Sequence, residues 1–243
     1  GSESWEDLGV PQGERYWYAG ESQVWGILAA SNGVLYAGTN DPYLYRSTDD
    51  GASWTEVRGV RELPTYGVWE SPIDPHYARL RSIEHVPGRP NHLVIAVESG
   101  GMHVSKDGGQ TWIDHRDDSP TDDIHQVIPM DPDVYLAACG HLDLDLEHLG
   151  MGHAVGGGGV FRTTDGGGSW ERLDKGNEFD YVRRVFVNDG TLFFGGATLA
   201  PPGWVEDEHE AALFESDDFG RTFDRVDYPG APHEVIEAWS TLD

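Results

Sequence analysis

The segment Ser105-Lys106-Asp107-Gly108-Gly109-Gln110-Thr111-Trp112 decides the fold, because the chain repeats its pattern three more times. The other copies occupy residues 47–54, 163–170 and 216–223, and successive aspartates lie 58, 58 and 53 residues apart. A period of this length is too long for a helical solenoid unit and suits one four-stranded propeller blade. The repeat therefore predicts a β-propeller.

Each repeat is predicted to contain three strands, then the motif as a turn, then a fourth strand. In the first repeat, aromatic and β-branched residues are concentrated in 23–30, 34–38 and 43–47, and the tight turn Ser31-Asn32-Gly33 joins the first two of these strands. No segment has a sustained helical periodicity, so the fold class is all-β. A single domain over 1–243 is predicted, with complete blades at approximately 23–57, 80–115, 124–173 and 181–226.

The two ends of the chain predict a fifth blade, formed by residues 234–241 together with residues 4–8. The segment 4–8 resembles a fourth strand and the segment 235–239 a first strand. Only two of the four strands of this blade are present, so the propeller is predicted to be five-bladed with an incomplete fifth blade. The sequence leaves three explanations open: the natural protein is longer, the blade is vestigial, or another chain completes it.

The composition excludes one class of partner. The 43 acidic and 16 basic residues give a formal charge of −27, which repels nucleic acid. A surface so rich in carboxylates, in a chain whose lysines are Lys106 and Lys175 alone, resembles proteins of halophilic, haloarchaeal-type organisms. Without a long apolar run or a signal peptide, no membrane partner and a cytoplasmic location are expected. Cys139 is the single cysteine and is expected to be a buried packing residue.

The repeated motif, Ser/Thr-x-Asp-x-Gly-x-Ser/Thr-Trp, resembles the Asp-box, or BNR repeat. This repeat occurs in sialidase-like propellers, sortilin-type receptors, some endoglucanases and photosystem II assembly propellers. In such a turn the carboxylate and hydroxyls bond to nearby backbone groups, the glycine supplies a positive φ and the aromatic ring packs into the blade. A structural role, with no catalytic residue, is therefore predicted for Asp49, Trp54, Asp107, Trp112, Asp165, Trp170, Asp218 and Phe223.

The face opposite the motifs is predicted to carry the ligand site, because the long loops and links between blades lie there. Trp17 lies near the N-terminus, Trp69 in the link 58–78 and Trp204 in the insertion 197–211. These three tryptophans are predicted to line the mouth of the site. The alternative is that the long loops only cover the ring of blades.

An alignment of the predicted first strands places Trp25, Arg81, His125 and Arg183 at one level around the axis. Two guanidinium groups and an imidazole at one level are suited to bind a carboxylate or a phosphate. The four residues are therefore predicted to bind a small anionic ligand or glycan. The alternative is a layer of ion pairs between blades, in which the cations pair with Glu84, Glu98 or Glu237.

The insertion 140–158 contains a candidate metal site. In an extended strand, His141, Asp143 and Asp145 share one face, and imidazole and carboxylate groups are common ligands of divalent cations. The alternative is a solvated acidic edge with leucines packed inward. Apart from this candidate cation, no cofactor is predicted.

Three functions are compatible with these features. The preferred one is a non-catalytic scaffold that binds a protein partner, a small anionic ligand or a glycan. The second is a retaining glycoside hydrolase similar to sialidases, in which Arg81 and Arg183, with Arg15 or Arg61 as a third arginine, would hold a sugar carboxylate. The Phe/Tyr-Arg-Ile-Pro motif of sialidases is absent, so no catalytic residue is assigned. The third is an assembly subunit, monomeric or homo-oligomeric, whose unfinished blade another chain completes.

Overall fold

The computed structural model describes residues 23–69, 78–140, 157–199 and 210–228. These residues form sixteen strands in four antiparallel four-stranded sheets, and in each sheet the strands follow chain order. The first sheet contains β1 (Val24–Ala29), β2 (Leu35–Thr39), β3 (Leu44–Ser47) and β4 (Thr55–Glu56), and the second contains β5 (Arg79–Val86), β6 (Arg89–Glu98), β7 (Gly101–Ser105) and β8 (Ile113–Asp114). The third contains β9 (Ile124–Pro129), β10 (Tyr135–Cys139), β11 (Gly159–Thr163) and β12 (Glu171–Arg172), and the fourth contains β13 (Tyr181–Asn188), β14 (Thr191–Ala197), β15 (Ala211–Ser216) and β16 (Asp224–Val226).

Consecutive sheets pack face to face in the manner of propeller blades. The first strand of each later sheet contacts the first and second strands of the sheet before it: β5 contacts β1 and β2, β9 contacts β5 and β6, and β13 contacts β9 and β10. The prediction of an all-β propeller is confirmed. The predicted fifth blade, 234–241 with 4–8, lies outside the described residues. No helix in the described part of the chain is long and apolar enough to cross a membrane.

The fourth strands contain two or three residues and are shorter than every other strand of their sheets. The motif explains the difference. The backbone N–H groups of Ser53, Thr111 and Ser169 donate to the motif aspartates at 2.9 to 3.0 Å, so these residues belong to the turn rather than to the strand. The link after β4 folds into two short 3-10 turns, Arg58–Glu62 and Tyr66–Val68.

A separate hydrophobic cluster fills each of the three described interfaces between sheets. Tyr36 and Leu80 are fully buried between the first two sheets, Tyr135 between the second and third, and Phe194 between the third and fourth. The aromatic residue of each later motif packs against the cluster shared with the preceding sheet; these residues are Trp112, Trp170 and Phe223. The motif thus fixes each sheet to the one before it.

All four motifs share the hydrogen bonds of their first hydroxyl group. The first hydroxyl, from Ser47, Ser105, Thr163 or Ser216, donates to the aspartate Oδ1 at 2.7 to 2.9 Å and accepts from a glycine N–H at 2.8 to 3.0 Å. That glycine has a positive φ in every copy, between 84° and 110°. Hydrogen bonds from Ser169 and Thr222 lower the pKa of Asp165 and Asp218 to about 2. The carboxylates are therefore engaged within their own turns.

Replacement of the buried motif hydroxyl in Ser105→Ala is expected to lower the free energy of unfolding by about 2 kcal/mol, because the buried Gly109 N–H loses its acceptor. Thr111→Val is the control, since the Thr111 hydroxyl bonds to the same aspartate from an exposed position. Urea denaturation measures both. An equal loss of unfolding free energy in the two variants would show that the buried hydrogen bond stabilises the fold no more than the exposed one.

Candidate functional site

Each of the four first strands contains a β-bulge at the same place. The pairing with the second strand skips one residue: Val24 and Gly26 pair with neighbours on β2, and the same interruption occurs in β5, β9 and β13. A bulge leaves one residue out of the ladder and redirects its side chain. The skipped residues are Trp25, Arg81, His125 and Arg183, the four that the sequence alignment placed at one level.

The bulges lie near the start of the first strands, at the end of the sheets opposite the motif turns. Because strands alternate in direction, this end also holds the start of the third strands and the end of the second strands. Glu98 at the end of the second strand β6 joins the bulge residues there, as do Arg79, Asp123 and Tyr181 at or just before the starts of first strands. We call the group the axial cluster; it consists of Trp25, Arg79, Arg81, Glu98, Asp123, His125, Tyr181 and Arg183.

Glu98, the last residue of β6, is held by two arginines of its own sheet. Its Oε1 lies 3.1 Å from Arg79 Nη1 and its Oε2 lies 3.0 Å from Arg81 Nη1. The Glu98 side chain is 7% exposed, and the side chains of Arg79 and Arg81 are 18% and 12% exposed. Both guanidinium groups also lie over the Trp25 ring, with Cζ 4.8 and 5.4 Å from its centroid. Charge-assisted bonds of this kind are strong where water is excluded.

The contacts of Arg81 agree only in part with the alternative interpretation, a layer of ion pairs between blades. Glu98 does neutralise Arg81, as that interpretation expected, but the pair is formed within one sheet, between β5 and β6, rather than between blades. Glu84 is not a hydrogen-bond or ion-pair partner of Arg81 among the described residues, and Glu237 lies outside them.

His125 ties the third sheet to the fourth. Its imidazole is 1% exposed, with Nδ1 2.8 Å from the Val182 carbonyl oxygen and Nε2 2.9 Å from Asp123 Oδ1. The Tyr181 hydroxyl lies 3.4 Å from the same Nε2. Burial alone would raise the pKa of Asp123, but the charges of His125, Arg81 and Arg183 lower it overall. Asp123 is therefore a carboxylate held by surrounding positive charge.

Tyr181 is a poor nucleophile in this setting. Burial and the negative charge of Asp123 raise the pKa of its hydroxyl above the ordinary value, so the group stays protonated at neutral pH. The Arg183 guanidinium lies over the ring, with Cζ 5.4 Å from its centroid. Tyr181 thus offers the site a neutral hydroxyl and an aromatic face.

Gly140 fits closely against the axial cluster. Its N–H donates to the Asp123 carbonyl oxygen at 2.9 Å. A Cβ at this position would clash with Asp123 Oδ2 and lie 2.6 Å from His125 Cε1. A glycine here lets the end of β10 approach the cluster.

Glu98, Asp123 and His125 also form a candidate metal site, because one donor atom from each lies within 4.8 Å of the others. Both oxygens of Glu98 already contact guanidinium groups, and His125 Nε2 faces Asp123. The charges of Arg79 and Arg81 would repel a divalent cation. The arrangement therefore suits an anion better than a metal. The predicted metal ligands His141, Asp143 and Asp145 lie outside the described residues.

The tryptophans predicted for the ligand site do not all reach the axial cluster. Trp25 does, and its Nε1 is buried with no hydrogen-bond partner in the described part of the chain. Trp69 does not: its Nε1 donates to Thr65 Oγ1 at 3.0 Å, and its ring stacks on the buried His103 at 4.8 Å. The link folds back onto the second sheet and buries Trp69, so its observed role is in packing. Trp17 and Trp204 lie outside the described residues.

The predicted site residues do not include Arg79, Asp123 and Tyr181. Each lies two residues before a bulge residue. The same alignment of first strands, moved back by two residues, therefore places these three side chains together. Glu98 is one of the three predicted ion-pair partners of the arginines, but it is not among the predicted ligand-binding residues.

Comparisons with known proteins identify a fold and no family. No protein-family model and no curated protein matches the chain. Among solved structures, it is similar to the GH74 enzyme of Niastella koreensis, with a TM-score of 0.58 and 15% identity over 83% of this chain and 30% of that one. It is also similar to the GH74 xyloglucanase of Xanthomonas campestris, with a TM-score of 0.55 and 16% identity over 79% of this chain and 28% of that one.

A third similar structure is YCF48 bound to D1 peptide, with a TM-score of 0.52 and 13% identity. The match covers 84% of this chain and 54% of that one. The chain therefore spans less than two thirds of the length of each of these three proteins. At such low identities the similarity shows a shared propeller fold alone.

Proposed function

We propose that the chain is a non-catalytic binding propeller that holds the anionic group of a small ligand, a glycan or a protein partner at the axial cluster. The observation that carries the proposal is the repeated β-bulge, which delivers Trp25, Arg81, His125 and Arg183 to one end of the propeller. Bulges that redirect side chains are frequent beside binding and active sites. The function needs no cofactor.

The electrostatics of the chain support an anionic ligand. In a protein of formal charge −27, three guanidinium groups and a histidine gather in one small region of low exposure, where they outnumber the two carboxylates, Glu98 and Asp123. Charged hydrogen bonds to an anion are stronger there than at the solvated surface. The D1 peptide bound by YCF48 is an example of a peptide ligand on a propeller of similar fold.

The proposal is tested by titrating citrate, sialic acid and phosphate into the protein by calorimetry at constant ionic strength. At least one anion is expected to bind saturably, and Arg183→Ala is expected to weaken it roughly 10-fold or more, as loss of one charged hydrogen bond would. Arg46→Ala, an exposed position on β3, is the matched control. No saturable binding, or the same loss in both variants, would contradict the proposal.

A retaining glycosidase of the sialidase-like type is the second candidate, because Tyr181, Asp123 and three arginines share one site. The raised pKa and the burial of Tyr181 argue against it, since a nucleophilic tyrosine must lose its proton and reach the substrate. We expect no turnover of a fluorogenic glycoside panel. Turnover that disappears in Tyr181→Phe would make this candidate the better one.

A further inference from the structure

The carboxylate of Glu98 is not required by the geometry of a blade. The strand registers align Glu98, at the end of β6, with Asn40, Gly140 and Ala197 in the other three described sheets. These positions hold an amide, a hydrogen atom and a methyl group, and their sheets form the same ladder. Glu98 is therefore specific to the site in the second sheet.

The groups around Glu98 form a pocket that matches a planar carboxylate. Each oxygen contacts its own guanidinium, Oε1 that of Arg79 at 3.1 Å and Oε2 that of Arg81 at 3.0 Å. The Trp25 ring lies against both guanidinium groups. The Arg79 and Arg81 guanidinium groups offer one donor to each of two oxygens, which suits the two coplanar oxygens of a carboxylate. A tetrahedral phosphate has two further oxygens, and these would receive no hydrogen bond from the two arginines.

We infer that Glu98 acts as an internal ligand of this pocket, and that a ligand carboxylate binds by displacing it. The inference rests on the proposed function and narrows its ligand class from anions in general to carboxylates. Since the two guanidinium groups are occupied in the folded chain, competition with Glu98 limits the affinity for the external group. Glu98 is thus a residue that determines specificity.

The test is to empty the pocket in Glu98→Ala and follow thermal unfolding in acetate, phosphate or chloride at equal ionic strength. In chloride the variant is expected to melt about 10 °C below the wild type, because two part-buried guanidinium groups lose their partner. Acetate is expected to restore at least half of the lost melting temperature, with a saturable dependence on its concentration. Phosphate is expected to raise the melting temperature of the variant no more than it raises that of the wild type. If the variant does not fold in chloride, the yield of refolding in acetate against chloride gives the same readout.

Two variants control for other effects. Glu98→Gln keeps the pocket filled and is expected to show no response to acetate. Glu171→Ala removes a carboxylate that also contacts two cations, Arg162 and Lys175, but at the exposed surface, so it reports the general effect of each salt. Recovery by acetate no greater than in Glu171→Ala, or equal recovery by phosphate, would overturn the inference.

The outcomes separate this inference from the proposed function. Saturable anion binding by the wild type, without acetate recovery in Glu98→Ala, overturns the inference and leaves the proposed function standing. Acetate recovery in Glu98→Ala, without any anion binding by the wild type, shows that the pocket accepts a carboxylate but contradicts both the proposed function and the displacement of Glu98 by a ligand.

Discussion

Arg81→Ala is expected to lower the free energy of unfolding by about 3 kcal/mol, near the lower end of the cost of breaking a buried ion pair. The variant leaves Glu98, which is 7% exposed, with Arg79 as its remaining guanidinium partner among the described residues. It also removes one of the two guanidinium groups that lie over the Trp25 ring. Urea denaturation at neutral pH measures the loss.

Arg162→Ala is the matched control for this prediction. Arg162 Nη2 lies 3.1 Å from Glu171 Oε2, almost the same distance as in the Arg81–Glu98 pair, but the two side chains are 28% and 55% exposed. An exposed pair contributes less than about 1 kcal/mol. If both variants lose the same amount, burial of the axial cluster does not strengthen its ion pairs.

The second large effect is expected at Asp114, which joins the link between the first two sheets to β8. Its Oδ2 accepts hydrogen bonds from Thr65 N at 3.1 Å and Thr65 Oγ1 at 2.7 Å, and its Oδ1 lies 3.2 Å from His103 Nδ1. Asp114→Asn is expected to lower the free energy of unfolding by about 3 kcal/mol at neutral pH, because an amide cannot accept all of these bonds. Chemical denaturation of the two proteins measures this difference.

The effect of Asp114 depends on pH with a definite sign. Burial alone would raise its pKa, but hydrogen bonds from His103 and Thr65 lower it well below the ordinary value. A carboxylate of this kind stabilises the fold fully above its ordinary pKa of about 4, and the stabilisation is lost as the pH falls. Burial also lowers the pKa of His103, so protonation of this imidazole likewise opposes folding in acid.

The difference between the wild type and Asp114→Asn should therefore be largest near neutral pH and shrink below about pH 4. Asp118→Asn is the control, because Asp118 pairs with His115 at 3.1 Å on the surface and is 50% exposed. A difference that stays constant between neutral and acid pH would show that the charge of Asp114 does not stabilise the link.

The sequence repeat predicted the fold and four residues of the candidate site. The motif spacing located all four described sheets, and the alignment of first strands selected the four residues that the bulges redirect. The bulges themselves could not be predicted, because no glycine or other local signal marks Arg81 or His125 as an extra residue in the ladder. The alignment succeeded because each strand carries the bulge at the same position.

The rest of the site depends on how distant segments meet. The pairing of Glu98 with Arg79 and Arg81 follows from the register between β5 and β6, which pairs Arg79 with Glu98 across the ladder. The burial of Trp69 depends on the link folding back onto His103, and nothing in the local sequence distinguishes this from an open loop. The pairing of Glu98 and the burial of Trp69 therefore depend on the register between distant strands and on the path of the links, which a local sequence pattern does not determine.

The most direct test of anion binding at the axial cluster is the indole N–H resonance of Trp25 in a nuclear magnetic resonance titration with citrate at constant ionic strength. Trp112 and Trp170 are internal controls, because their indole N–H groups donate to Gly109 O and Gly167 O at the opposite end of the sheets. We expect the Trp25 resonance to shift saturably while the two controls stay in place. A Trp25 resonance that does not move, or that moves together with both controls, would contradict binding at the axial cluster.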